Sequence, residues 1–360
     1  DLRRRLRFQT AEAWQPHEHQ GWHEKVAELA ERSVDLSALL RFYRGLGCEY
    51  MQHFDPQLHT TQDVVRGAVV PLTAGMQCPL STLLMKGVAV RPKAMVTHNW
   101  SNLFRDLVAA VVADALGEDE YGRVAYLLEH EPKVLQEWIT RSHVENRTYW
   151  ICALCVNQHL SICHNPDGVC DTVTQKPHAA CRCGLPKVGN STPPTVAGKS
   201  VLCEMNKCEA MMRCLSATDP HFAQVVAVDV NFELFTRAWC AAEIDIANAL
   251  GMQQNMKLRS AETLQKHRST LLRVQVLDLE TSRPEDKEDI LASVGEAGAD
   301  EFDRRMRRIL FKELVPSWEG LHAADLVLRS ARILRWQFLC QERHCYSLMA
   351  PEPEQWCTNA

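Results

Sequence analysis

"QVVAVDVNFELFTRAWCAAEIDIANAL" (residues 224–250) decides how this chain is read. Residues 224–230 form an apolar run of strand length. After a short break, residues 235–250 fall on a 3.6-residue wheel with Trp239, Ile246, Ala247 and Leu250 in one arc. That arc is about 100° wide, the width of a core-facing stripe. A strand that runs directly into an amphipathic helix is the unit from which helix-covered parallel sheets are built. One residue breaks the pattern. Glu243 lies inside the apolar arc, whereas Asp245 and Asn248 point away from it. A carboxylate on a buried face must be paired, protonated or set in a cleft, because desolvating it alone is costly.

The same alternation extends in both directions. Upstream, "AMVTH" (94–98) precedes the helical stretch "SNLFRDLVAAVVADAL" (101–116), with Ser101 as the expected N-cap. A further helix around "YGRVAYLLEHEPKVLQEWIT" leads to "TYWICAL" (148–154), and the helix "EMNKCEAMMRCLS" delivers the chain to residue 224. Downstream, "MKLRS" (256–260) and "LLRVQVLDL" (271–279) complete about five strands. The expected fold class is therefore α/β, a parallel sheet of about five strands flanked by helices, with helical N- and C-terminal extensions. The boundaries fall at a mainly helical region 1–91, an α/β domain 92–315 carrying a cysteine-rich insertion 157–200, and a helical tail 316–360. Within the first region, "HEKVAELAERSVDLSALLRFYRGL" has helical spacing and "HTTQDVVRGAVVPLT" is expected to break at Pro71.

Composition narrows the function classes. With 360 residues and 46% hydrophobic content the chain supports a real core. A net charge of −5 gives no reason to expect a nucleic-acid or membrane partner. The basic clusters "DLRRRLR" and "RRMRR" read as solvated helix faces. The longest apolar run, "LVAAVVADAL" (107–116), is interrupted by Asp114 and falls short of the roughly 20 residues of a membrane span. Fifteen irregularly spaced cysteines read as reduced thiols rather than a disulfide framework, so the expected location is cytoplasmic.

In open parallel sheets, ligands bind beyond the carboxyl ends of the strands. That rule selects Thr97, His98, Asn99 and Trp100 after the first strand, Asn157, Gln158 and His159 after the second, and Asp229 and Asn231 after the third. Glu243 stands one to two turns into the next helix. From the residues alone a structural bridge from Glu243 to Arg237 or Arg105 is equally open. So is a core role for Trp239, and so are turn or cap roles for His98, Asn157, Gln158 and Asp229.

Nine of the fifteen cysteines lie between 152 and 214, with His159, His164 and His178 among them. Cys152 and Cys155 are expected on one strand with their side chains on opposite faces, which disfavours a shared metal. "HAACRC" (178–183) with Cys163 or Cys170 is the better zinc candidate, since a loop can bend its ligands together. The "GKS" at 198–200 lacks the glycine and the strand-loop-helix setting of a phosphate loop.

Three segments together resemble the Toll/interleukin receptor (TIR) domains and the related fungal heterokaryon-incompatibility domains. "YWICALCVNQH" (149–159) resembles the heterokaryon-incompatibility strand that runs into a Cys-(Ile/Val)-Asn-Gln turn. "FTRAWCAAE" (235–243) is similar to that family's Ser-Arg-x-Trp-x-x-x-Glu helix start and to the Trp-Cys-x-x-Glu of plant TIR domains. "MVTHNW" (95–100) resembles the first strand, and the whole series is similar to a dinoflagellate-type branch. Cys152 stands where the heterokaryon-incompatibility strand has Asp. The resemblance spans roughly residues 92–280. It implies a flavodoxin-like, TIR-like sheet, self-association, and cleavage of NAD or a related nucleotide at the N-glycosidic bond, with Glu243 as the catalytic group. The candidate substrate-binding set, read from the strand ends and the helix start, is His98, Asn99, Trp100, Asn157, Gln158, Asp229, Arg237 and Trp239. No resident cofactor is expected beyond a possible zinc, NAD being the substrate. The alternative is a non-catalytic adaptor that binds like domains.

Overall fold

The computed structural model describes residues 20–164, 169–260, 262–263, 266–267, 278–281 and 298–314, with side chains to 309. The chain divides into two compact units, 1–307 and 308–360. The tail expected at 316–360 lies outside the described residues.

The first unit begins with α1 (Gln20–Ala30), β1 (Val34–Asp35) and α2 (Leu36–Gly45). It continues through β2 (Ala94–His98), α3 (Phe104–Leu116), α4 (Gly122–His130), α5 (Pro132–Arg141) and β3 (Thr148–Ile151). A hairpin, β4 (Thr195–Val196) and β5 (Lys199–Ser200), precedes α6 (Cys208–Thr218) and β6 (Ala223–Ala227). Then come α7 (Ala238–Ala249), β7 (Gln253–Lys257) and α8 (Gly298–Leu314).

The sheet order is β1-β3-β2-β6-β7. β2 lies parallel between β3 and β6, β7 runs parallel to β6, and β1 is antiparallel to β3. β2, β3 and β6 are buried along their whole length, as strands covered on both faces must be. α1, α6 and α7 pack on one face around Met95, Trp150, Met211, Met212, Phe222 and Ala247. α3 covers the other face, with Phe104 to Ala115 entirely buried. From β2 the chain moves to one side to form β3, and later to the opposite side to form β6 and β7. The strand order therefore reverses between β2 and β6, and a crevice opens at their carboxyl ends.

Several local readings change. The strand expected at 271–279 falls mostly outside the described residues. The fifth strand observed is β1, inside the segment read as helical, and two residues are too few to leave a period. β7 starts three residues before "MKLRS" because polar residues pair inside the sheet. Gln254 Nε2 donates to Gln224 Oε1 at 2.8 Å and Asn255 Nδ2 to Asp114 Oδ1 at 2.9 Å. β3 stops at Ile151, and Cys152–Cys155 forms a helical turn instead of more strand. α3 starts at Phe104, and Ser101 is no cap: its amide donates to Asn99 Oδ1 in the preceding turn. The backbone stays helical across Pro71 through a π turn at Val65–Val69, which places the proline at the start of Val70–Thr73. "GKS" belongs to the β4–β5 hairpin, whose Ala197 and Gly198 both have positive φ, as its two-residue turn requires.

Asp114, the interruption in the apolar run, is an anchor. Tyr149 Oη donates to it at 3.0 Å and Asn255 Nδ2 at 2.9 Å, while Arg147 Nη2 pairs with it at 2.9 Å. One carboxylate thus ties α3 to β3 and β7. Among the described residues no helix is long and apolar enough to cross a membrane.

Asp114→Ala should destabilise the chain by about 3–5 kcal/mol, since it leaves a buried phenol, an amide and a cation without their acceptor. Urea unfolding would read this directly. A loss below about 1 kcal/mol would show that the three elements are held together without it.

Candidate functional site

A cavity of about 260 Å³ opens beside the carboxyl ends of β2 and β3, under the start of α7. For scale, an engineered apolar cavity of about 150 Å³ holds a benzene ring. Its walls include His98, Asn99 and Trp100 after β2, Cys152 and Gln158 after β3, Cys208 on α6, and Arg237, Trp239, Cys240 and Glu243 at the start of α7. Asn190 and residues 203–206 close the far side.

Glu243 is partly buried at the cavity wall. Its Oε2 accepts the hydroxyl of Thr97 at 2.6 Å and its Oε1 the thiol of Cys208 at 3.6 Å. Thr97 Oγ1 in turn accepts from Gln224 Nε2 at 2.8 Å, and Gln224 Oε1 from Gln254 Nε2 at 2.8 Å. This row runs from β7 through β6 and β2 to the carboxylate, each group donating toward Glu243. Burial pushes the Glu243 carboxyl up to about 7, and the bonds from Thr97 and Cys208 oppose that only in part. Neither bridge left open by the sequence forms: Arg237 pairs with Glu280 at 3.6 Å, and Arg105 is taken by Asp106 and Glu129. Glu204, the other carboxylate deep in the wall, is neutralised by Arg32 Nη1 at 2.9 Å and accepts the Asn157 amide at 2.7 Å.

Around Glu243 the environment is uncharged. His98 Nδ1 donates to the Val96 carbonyl at 3.2 Å, and burial lowers its pKa to about 4, so the ring is neutral. Trp100 Nε1 donates to Cys152 Sγ at 3.3 Å, and Cys240 Sγ donates to the His98 carbonyl at 3.5 Å. Burial, reinforced by the nearby Glu243, pushes the Cys152 thiol up to about 12 and those of Cys208 and Cys240 well above their usual value. These three are therefore protonated thiols, polarisable and weakly polar, and not nucleophiles.

Seven of the nine expected residues line this cavity: His98, Asn99, Trp100, Gln158, Arg237, Trp239 and Glu243. Two do not. Asp229 gives both carboxylate oxygens to the amides of Asn231, Glu233 and Leu234, which closes the turn into Glu233–Thr236. Asn157 caps Gln158–Ser161 through the His159 amide, and its Nδ2 reaches the Gln77 carbonyl. Both do what Asx side chains do at turns. Gln158 reaches the wall, yet its Nε2 is engaged by the Cys152 and Ala153 carbonyls, so it shapes the site more than it offers a free donor.

Sequence reasoning missed Cys208 and Cys240 as wall residues, and Cys152 was weighed only as a metal ligand. It noted Thr97 at a strand end without tying it to Glu243. A signal existed for the row of donors: Gln224 and Gln254 are polar residues at inward positions of strands. Compared with family models, with curated proteins and with solved structures, the chain has no significant match.

The raised carboxyl has a testable sign. A proton bound more tightly in the folded state stabilises fully below the unfolded pKa of 4.5, and that contribution is lost as pH rises through about 7. Glu243→Gln removes this loss. The variant's stability relative to wild type should therefore increase by up to about 3 kcal/mol between pH 4.5 and 8. Urea unfolding across that range measures the difference. A flat or decreasing difference would mean the carboxyl is not raised.

Proposed function

We propose that the chain cleaves the N-glycosidic bond of NAD or a related nucleotide, with Glu243 beside the ribose. The observation that carries this reading is a carboxylate at a cavity wall that ionises near neutral pH, is held by hydrogen bonds, and has no cationic partner among the described residues. A glycosidic bond to nicotinamide breaks toward an oxocarbenium-like sugar. The electron pair leaves with the ring nitrogen, nicotinamide departs neutral, and water supplies the hydroxyl of the ADP-ribose product and one proton to solvent. The requirement on the protein is a negative charge at the sugar in a water-poor site, where it acts with little screening.

The other wall residues suit the same substrate. Trp100 and Trp239 line the cavity, and indole rings are suited to pack against a nicotinamide or adenine ring. Arg237 stands beside the strongly exposed Glu280, which a substrate phosphate could replace as its partner. His98, being neutral, adds no charge that would oppose the developing cation. The order of the parallel strands, β3-β2-β6-β7, agrees with the flavodoxin-type arrangement in which nucleotides bind at the reversal point. It supports the TIR-like reading drawn from the three sequence motifs. Self-association of the domain belongs to the same proposal, as does a cytoplasmic location.

Incubating the full chain at high concentration with NAD should release nicotinamide and ADP-ribose in equal amounts. Glu243→Gln should lower the rate by roughly 10²–10³-fold, the usual effect of removing one transition-state electrostatic contact. The wild-type rate should rise with pH through about 7 as Glu243 ionises. No release from concentrated wild type would favour an interaction module of the same fold. Release that survives the substitution would remove Glu243 from the reaction.

A further inference from the structure

The cysteine-rich segment holds a second arrangement, separate from Glu243. His159, Cys163, Cys181 and Cys183 bring one imidazole nitrogen and three sulfurs to within 4.8 Å of one another. Cys163 Sγ and Cys183 Sγ are 3.6 Å apart, and Cys181 Sγ lies 3.6 Å from His159 Nδ1. No disulfide joins them. A tetrahedral zinc with Zn–S of about 2.3 Å and Zn–N of about 2.0 Å requires edges of roughly 3.8 Å between sulfurs and roughly 3.5 Å from nitrogen to sulfur. Both edges agree with those figures to within a few tenths of an ångström.

The histidine is prepared for ligation by what lies behind it. Thr73 donates its hydroxyl proton to the Val69 carbonyl at 2.7 Å, so its oxygen is an acceptor toward His159 Nε2 at 2.9 Å. His159 therefore carries its proton on Nε2 and presents the Nδ1 lone pair to the sulfurs. This is the outer hydrogen bond that metal-bound imidazoles characteristically make. The backbone holds the two ligand segments together, with the Cys181 amide donating to the Cys163 carbonyl at 2.9 Å. Gln77 Nε2 donates to the Cys183 carbonyl at 2.7 Å and Arg66 Nη1 to the Ile162 carbonyl at 3.2 Å. His164 Nδ1 stands 3.0 Å from Cys163 Sγ. Three thiolates and one neutral imidazole leave a Zn²⁺ site with one negative charge, and the Arg66 guanidinium lies near enough to Cys163 to balance it.

We propose that His159, Cys163, Cys181 and Cys183 bind one Zn²⁺ as a closed structural site that fixes the cysteine-rich segment against the cavity. On binding, the three thiols release their protons to solvent and no electron is transferred. This set differs from the "HAACRC" candidate in one ligand. His178 turns away to Asp63 Oδ1 at 3.0 Å, and His159 supplies the nitrogen instead. Cys170, the other expected sulfur, is exposed and outside the group.

Two neighbouring His and Asp groups do not compete for the metal. His59 Nδ1 accepts the Asp55 amide at 2.7 Å, so its Nε2 carries the proton that faces Asp171 and has no lone pair to give. Asp63 is committed to the Thr60 cap and to His178. The proposal does not depend on the chemistry assigned to Glu243.

The test uses the full chain purified in reductant without added chelator. Elemental analysis after exhaustive dialysis should find one zinc per chain. The double variant Cys181→Ser, Cys183→Ser should fall below a tenth of that, while Cys170→Ser keeps it. Because the double variant can lose metal by misfolding, a second measurement is made on wild type. After chelator treatment, one equivalent of Co²⁺ should produce the intense visible bands of a tetrahedral site together with a thiolate-to-metal charge-transfer band, and Zn²⁺ should abolish both. The proposal is overturned if wild type carries no zinc and gives only the weak spectrum of six-coordinate cobalt. It is equally overturned if the double variant retains its zinc, or if peptide mapping finds Cys163 and Cys183 joined as a disulfide.

Discussion

The hydroxyl of Thr97 on the Glu243 carboxylate, at 2.6 Å, is the contact on which the site depends. It works only because β2 and β6 are neighbours. Gln224 of β6 donates to one lone pair of Thr97, which holds the hydroxyl in place while its proton points to Glu243. Gln254 fixes the orientation of Gln224 from one strand further out. Three residues that would each be expensive to bury alone satisfy one another across the sheet. The order of donors then delivers positive dipole ends to the carboxylate without delivering a positive charge.

That distinction separates three carboxylates within the fold, Asp114 and Glu204 buried and Glu243 partly buried. Asp114 is held by a phenol, an amide and an arginine, and it joins layers of the fold. Glu204 is held by Arg32 and caps the turn at Asn157. Glu243 has hydrogen bonds only, and burial raises its carboxyl to about 7. Partner chemistry, not burial, decides which carboxylate stays available for a ligand.

How much of this was legible follows from the kind of signal each feature leaves. Residues 94–98 are a strand in both sequence and structure because a strand buried on both faces opens on an apolar run, here Ala94, Met95 and Val96. β1 and β7 left no such trace. β1 is two residues long, and β7 reads "QQNMK", polar because its side chains bond to Gln224 in β6 and to Asp114 on α3. Glu243 was visible as an acid among apolar neighbours on the wheel, although the buried stripe of α7 is Cys240, Ala241, Ile244 and Ala247, and Trp239, Ile246 and Leu250 are only partly buried beside it. Asp229 and Asn157 were selected by their place after strands, and there the general preference of Asx residues for turns prevailed over the site. The thiols of Cys152, Cys208 and Cys240 come from three separate segments, so only the tertiary fold brings them to one wall.

The cavity and the cysteine-rich segment are mechanically one object. Gln158, Ser161, Ile162 and Val188 contribute to the cavity wall, and the same stretch carries the sulfur and imidazole groups on its other side. Residues 169–194 contain no helix and no strand, so this part of the segment has no regular secondary structure of its own to hold it. A cross-link that closes a loop the length of 163–181 removes unfolded-chain entropy worth about 3 kcal/mol. A metal held by the four groups would therefore stiffen the wall opposite Glu243 without touching a ligand bound there. Its loss would be felt as a softened cavity before it was felt as an unfolded chain.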